Sequence, residues 1–208
     1  MSADFPPSLL DGHRAWRDAL SSGDRERAQT LARDGQHPEA MVIACSDSRV
    51  APETVFDCAP GEIFVLRTVA NLVAPYRHDA GPCATSSALE FAVEALRVRH
   101  IVVMGHALCG GIKALADRAR TPLSPDDFIG GWIDSLAPVA DAGAAADGDL
   151  STLEQAAVRR SVENLATFPF VARRLGNATL SLHGAWFDIA TGTVWTMDPG
   201  SGRFSPSR

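Results

Sequence analysis

Apolar residues recur along this chain with two different periods, and the change from one to the other divides it. Between residues 8 and 33 they fall at helical spacing: Leu9, Leu10, Trp16 and Leu20, then Ala28, Leu31 and Ala32, with Ser21, Ser22 and Gly23 as a break. Apolar positions three and four apart share one helix face, so this stretch predicts one or two amphipathic helices lying outside the main sheet. Such a stripe needs a surface to cover it, either on its own domain or on a second copy of the chain. After a linker at Gln36, His37 and Pro38, strand-like runs follow at 40–44, 62–69, 100–104 and 179–188, and those at 40–44 and 101–104 are wholly apolar. Runs without polar alternation belong to strands buried on both faces. Helical patterns stand between them at 52–56, 85–97, 110–119, 126–136, 150–165 and 168–176. In 85–97 the stripe is Leu89, Val93 and Leu96. The alternation predicts an α/β fold: a mixed sheet with a parallel core of about four strands, flanked by helices. After a turn at 190–192, residues 193–197 read as an extra edge strand returning antiparallel near the C-terminus. The Ala- and Gly-rich stretch 137–148 reads as a flexible surface connection or a partly helical one. The expected organisation is a helical arm over 1–35, an α/β domain over 36–200 and a flexible tail over 201–208.

Composition narrows the class. With 208 residues, 46% of them hydrophobic, the chain can bury a sizeable core and is not disordered. No run of about 18 apolar residues exists, which argues against a membrane span. The opening MSADFPPSLL lacks the basic-then-apolar layout of a secretory signal, so a cytoplasmic location is expected. The net charge is −6 with Lys and Arg dispersed, which speaks against a nucleic-acid partner.

The chemistry gathers at two strand ends. MVIACSDSRV (41–50) carries Cys45, Asp47 and Arg49; IVVMGHALCGG (101–111) carries His106 and Cys109. Two such strands side by side bring two thiolates, an imidazole and a carboxylate to one sheet edge, which is a sufficient ligand set for zinc. Taken singly, either cysteine could be a small buried hydrophobe and Asp47–Arg49 an ordinary ion pair; the paired layout favours a metal. Cys58 and Cys83 have no partner at ligand spacing and read as structural. A shell of Cys45, His106 and Cys109 leaves one position, for water or for Asp47. Water there becomes hydroxide near neutral pH, whereas Asp47 there would prevent this. The planar fork of Arg49 can hold Asp47 away from the metal.

CSDSR (45–49), PGEIFVLRTVANLV (60–73), ALEFAVEALRVRHIVVMGHALCGGIKAL (88–115) and, less specifically, SLHGAWFDIATG (181–192) resemble the β-class carbonic anhydrases over about residues 35–195. CSDSR followed by GHxxCGG is the specific part. The resemblance implies that 36–200 is a zinc-binding catalytic domain with Cys45, His106 and Cys109 as ligands. Asp47 would accept a hydrogen bond from the zinc-bound water or hydroxide, with Arg49 as its partner, and would ligate zinc only in a closed state. The implied reaction is that of a lyase, the reversible hydration of carbon dioxide to bicarbonate and a proton by attack of zinc-bound hydroxide. The implied pocket is shared between two subunits of a homodimer or homotetramer. In it Gln36 hydrogen-bonds the substrate, Phe64, Val69 and Phe91 form apolar wall, and Gly110 offers backbone near the metal.

Gln36 matches plant-like members whose site stays open. In members that close, bicarbonate binds a separate pocket of tryptophan, arginine and tyrosine. The matching positions here are Val42, Arg67 and Phe187, with Trp186 as an alternative to the last, so an open site is expected. The family's RNxxN reads Arg67, Thr68, Val69, Ala70, Asn71, with threonine at the second position. Rival readings are a related zinc hydrolase acting on carbon disulfide or carbonyl sulfide, and a noncatalytic zinc-stabilised scaffold, which the presence of both Asp47 and Arg49 disfavours. A nucleotide site is not supported, because GHALCGG lacks the glycine spacing of a dinucleotide loop.

Overall fold

The computed structural model describes residues 5–79, 81, 83–117, 122–134 and 149–207. It divides into two compact units, Met1–Gln36 and His37–Arg208. In the first, α1 (Pro7–Ala19) begins on a proline, whose fixed φ suits a first helical turn. A capping box opens α2 (Ser22–Asp34): the Ser21 hydroxyl accepts the Asp24 N–H, and the Asp24 carboxylate accepts the Ser21 N–H. Neither helix buries a residue, and Leu9, Leu10 and Trp16 are exposed.

The second unit is built on a six-stranded sheet in the order β2-β1-β3-β4-β5-β6. β1 (Ala40–Cys45), β2 (Ile63–Thr68), β3 (His100–His106) and β4 (Ser181–Asp188) are mutually parallel. They are the four-strand core expected from the apolar runs. β5 (Thr193–Met197) returns antiparallel on β4, as expected of the edge strand. The tail corrects the sequence reading. Instead of being loose from 201, it forms a short strand, β6 (Phe204–Pro206), antiparallel to β5 with Met197 opposite Phe204. One aromatic anchors it: Phe204 packs on the core with Arg159 over its ring. Pairing there also covers an edge that β5 would otherwise expose.

Among the described residues of this unit the α-helices are α3 (Pro52–Val55), α4 (Ala84–Glu90), α5 (Gly110–Ala116), α6 (Phe128–Ile133), α7 (Leu150–Leu165) and α8 (Pro169–Gly176). The helix read over 85–97 changes geometry partway: α4 passes into a π-helical turn at Phe91–Ala95. α5 ends at Ala116 with Asp117 as its C-cap; the last residues of the patterns read at 110–119 and 126–136 lie outside the described residues. The connection read at 137–148 lies outside the described residues.

One sheet face presents Met41, Ile43, Ile101 and Val103 to Leu89, Val93, Val158 and Val171. The other presents Val42, Ala44, Met104 and Ala185 to Val55 and Phe56. A third cluster of Cys45, Cys109, Ile112, Leu153 and Ala157 closes the C-terminal ends of β1 and β3. Glycine at 105 lets α7 lie against β3, because a Cβ there would sit 2.6 Å from Val158 Cγ2. Ligand sites of parallel α/β sheets form at this end of the strands, where turns carry side chains out of the sheet. No described helix is long and apolar enough to cross a membrane.

Candidate metal centre

β1 and β3 are neighbours in register, Met41 opposite Ile101 and Ala44 opposite Met104. Their ends therefore deliver Cys45 and His106 to the same edge. The turn after β3 places Leu108 at φ +56, which swings Cys109 back toward Cys45. The two sulfurs are 3.9 Å apart. One donor atom from each of Cys45, His106 and Cys109 lies within 4.8 Å of the others, and all three residues are buried.

His106 Nδ1 lies 2.9 Å from the Ala107 carbonyl, which can only accept, so Nδ1 carries the proton. Nε2 is then a bare lone pair. It is buried and has no hydrogen-bond partner, an arrangement that costs about 1–3 kcal/mol unless something satisfies it. The donor set fits a tetrahedral metal. Bonds of about 2.3 Å to zinc would separate two sulfurs by about 3.8 Å, against the 3.9 Å found. Without a metal the thiols share their protons unequally. A hydrogen bond from Cys109, working against burial, pulls the Cys45 thiol down; the same contact and burial push Cys109 up. Burial, the largest single influence, works to lower His106, but the Cys45 sulfur, the Ala107 carbonyl and Asp47 together outweigh it and the net shift is upward.

Asp47 and Arg49 form a bidentate pair, Nε to Oδ1 at 2.9 Å and Nη2 to Oδ2 at 2.7 Å, and the Arg49 backbone N–H adds a third bond to Oδ1 at 3.0 Å. That guanidinium holds the Asp47 carboxyl well below the usual carboxylate range. Asp47 Oδ2 lies 3.9 Å from His106 Nε2, beside the position a metal would take. Arg49 Nη2 also donates to the Leu108 carbonyl at 3.2 Å, so one side chain ties the two ligand turns together.

Two further groups act on these turns. Arg67 donates from Nε to the Cys45 carbonyl at 2.9 Å and from Nη2 to the Asp47 carbonyl at 2.5 Å. Glu154, on α7 and almost wholly buried, accepts the Cys109 N–H and the Trp186 Nε1–H, each at 3.0 Å. Burial pushes its carboxyl pKa up. Sequence reasoning missed Glu154. Its signal was a carboxylate on the face that Leu153, Ala157, Val158 and Ser161 bury. The bond from Trp186 to Glu154 also uses its only polar group, so it does not take the tyrosine's part.

Val69 and Gly110 line one cavity of about 400 Å³, together with Gly111, Ala114 and Ile129. A Cβ at Gly111 would lie 2.9 Å from that of Ala70, so glycine is what lets α5 start against the 69–71 turn. Phe64 and Phe91 do not join this cavity within one chain. Their rings pack on each other, with centroids 5.9 Å apart. Phe64 is opposite Met41, four residues before the Cys45–Thr68 pair, which is about 13 Å along the strand. Gln36 belongs to the N-terminal unit, and its assignment rests on the resemblance. Cys58 and Cys83 stand apart from the cluster, Cys83 as the cap of α4. All four cysteines are free thiols.

A parallel α/β sheet with a buried Cys–His–Cys triad at its strand ends makes this an α/β protein with a metal-binding centre. The comparisons take it further. The family model for carbonic anhydrase matches residues 40–194. The chain is 37% identical over 189 residues to the chloroplastic β carbonic anhydrase 5 of Arabidopsis thaliana, covering 86% of this chain and 61% of that protein. It thus spans about three-fifths of the length of this curated relative. Among solved structures, the Coccomyxa β-carbonic anhydrase superposes with a TM-score of 0.78 at 33% identity, over 92% of this chain and 86% of that one. A structure reported for two tetrameric β-carbonic anhydrases of Sordaria macrospora gives 0.81 at 28%, over 95% and 97%. The chain belongs to the β-class carbonic anhydrase family.

Proposed function

We propose that this chain is a zinc-dependent carbonic anhydrase, catalysing the reversible hydration of carbon dioxide to bicarbonate and a proton. One observation carries the reading: the buried, unpartnered Nε2 of His106 faces two thiol sulfurs and stands next to an ionised Asp47. Cys45, His106 and Cys109 would hold the zinc and leave one position to solvent. Zinc, when bound, supplies the Lewis acidity that makes hydroxide available from water near neutral pH. Asp47, kept ionised by Arg49, can only accept hydrogen bonds. A solvent O–H beside His106 therefore turns toward Asp47, and the oxygen lone pairs turn toward substrate. Val69 and Gly110, the latter next to Cys109, line a cavity whose walls also include Ala114 and Ile129, with Lys113 and Asp117 among its polar lining, and its apolar part suits a linear uncharged molecule.

The reading includes a homodimer as the minimum active unit, with a homotetramer as the larger form. Three features support it: the uncovered stripe of α1, the partly exposed Phe91 lying with Phe64 away from its own chain's triad, and the tetrameric Sordaria relatives. A cytoplasmic location is carried from the sequence reading alone.

Stopped-flow carbon dioxide hydration with metal analysis tests the proposal. One zinc per chain is expected, and Cys109→Ala should lose metal and turnover together. Full zinc content with normal kinetics in that variant would overturn it. Light scattering should give at least twice 22.1 kDa, and a fully active monomer would sink the dimer.

A further inference from the structure

The opposite end of the sheet carries a second cluster of metal-type donors. His100 opens β3 and His183 is third in β4. Six residues separate His100 from His106, about 20 Å along the strand. In the parallel register Ser181 faces His100 and Val102 faces His183. The two histidines therefore lie on one sheet face, diagonally across neighbouring strands. His100 Nδ1 and His183 Nε2 are 3.1 Å apart, and the rings are inclined by 52°. His183 is exposed and the His100 side chain is 40% exposed. Behind His100, its Nε2 lies 3.9 Å from Glu39 Oε1, and Arg99 pins that carboxylate at 2.5 Å.

We propose that His100 and His183 form a second metal site, separate from the Cys–His–Cys centre, which takes a divalent copper or nickel ion through His100 Nδ1 and His183 Nε2 with water completing the shell. The spacing of the two nitrogens is compatible with such an ion. With metal–imidazole bonds of about 2.05 Å, nitrogens 3.1 Å apart subtend about 98° at the metal. That is close to the right-angled edge of a tetragonal shell. A tetrahedral shell would need about 3.35 Å. The donors are imidazoles without a thiolate, which suits copper(II) and nickel(II), and copper(II) heads the affinity order for such sites.

The surroundings favour the ligating forms. His183 is exposed at its surface but partly desolvated by its neighbours, and that, then the adjacent His100, lowers its pKa, which favours the neutral, ligating ring. Glu39 Oε1 stands 3.9 Å from His100 Nε2, on the side away from Nδ1, which is where a carboxylate behind a metal-bound histidine stands. In the metal-free pair one nitrogen must donate to the other. On metal binding that proton moves to the far nitrogen of its own ring, so no proton is released. Arg99 neutralises Glu39, so no anionic ligand is added.

The test uses zinc-loaded protein, so that the thiolate centre is already filled. Copper(II) titrated by calorimetry should bind at one ion per chain beyond zinc. Electron paramagnetic resonance should show an axial signal with coupling to two nitrogens. His183→Asn and His100→Asn should each weaken copper binding at least tenfold, with zinc content and carbon dioxide hydration unchanged. Nickel(II) should raise the melting temperature of the parent and leave that of the double variant where it was. Equal copper affinity in the parent and the double variant would overturn the site. So would a signal with fewer than two nitrogens, or release of zinc in place of uptake at a second position.

Discussion

Replacing Arg67 by Met would show how far the ligand turn depends on a side chain that never touches the metal position. Arg67 reaches from the end of β2 to the carbonyls of Cys45 and Asp47, the two residues that carry the sulfur and the carboxylate. Each is a charge-assisted bond of about 1.5–3 kcal/mol. Arg67 is only partly buried, so water would recover some of the loss, and the low end of the range is the better guide. Two bonds then give about 3 kcal/mol of destabilisation. In a domain of this size each kcal/mol moves the melting temperature by about 2–4 °C, so a fall of about 6–12 °C is expected by calorimetry of the zinc-loaded protein. Arg67→Lys keeps a charged donor that reaches one carbonyl and should lose about half as much. Because the freed turn carries Asp47, kcat/KM for carbon dioxide hydration should fall at least about tenfold, equivalent to about 1.4 kcal/mol of transition-state stabilisation. An Arg67→Met protein that melts within 2 °C of the parent with unchanged kcat/KM, taking about 2 °C as the scatter of comparable surface variants, would refute the reasoning.

Gly105→Ala should cost about 1–3 kcal/mol by overpacking, since its Cβ would press on Val158; Val158→Ala in the same chain should restore part of it, read as coupling in a double-mutant cycle. Glu154→Gln cannot accept from both the Cys109 and Trp186 N–H groups without turning an amide donor on one of them. It should lose about 1–3 kcal/mol in denaturant unfolding, and an unchanged midpoint would remove Glu154 from the account of the turn. Asp47→Asn leaves the metal triad intact but breaks the charged pair with Arg49. Zinc should stay at one per chain while kcat/KM drops, whereas loss of zinc would mean that Asp47 supports the metal directly.

The parts of the fold legible in the sequence were those whose burial is uniform. β1 and β3 are buried along nearly their whole length, so their unbroken apolar runs could hardly be anything but central strands. The ligand turns were legible for a different reason: Cys45, Asp47, Arg49, His106 and Cys109 each fall within a few residues of a strand end, and parallel register alone brings those ends together. What escaped depended on tertiary fit. The π-helical turn at Phe91–Ala95 differs from an α-helix by one residue per turn, and its apolar stripe reads the same either way. β6 rests on Phe204 within a Gly-, Ser- and Pro-rich tail, where local propensity points to coil. Arg67 and Glu154 sit at ordinary strand and helix positions, and only the path of the distant turns shows what they bind.

Those side chains also bear on whether Asp47 can leave Arg49 for the metal position. To do so it would give up two side-chain bonds and the backbone bond from Arg49 to Oδ1, at about 1.5–3 kcal/mol for each charged one. Arg49 would then lose the partner that aligns its bond to the Leu108 carbonyl, so the cost reaches the second ligand turn. An anion could offset this only by finding donors nearby. Val42 is buried against the far sheet face and offers none, and Phe187 packs in the cluster around the triad without a hydroxyl. The remaining cation, Arg67, already spends its guanidinium on the Cys45 and Asp47 carbonyls. Drawing it toward an anion would release the turn that holds Asp47. Arg67 thus keeps the ligand turn in shape, and that same turn presents Asp47 to Arg49.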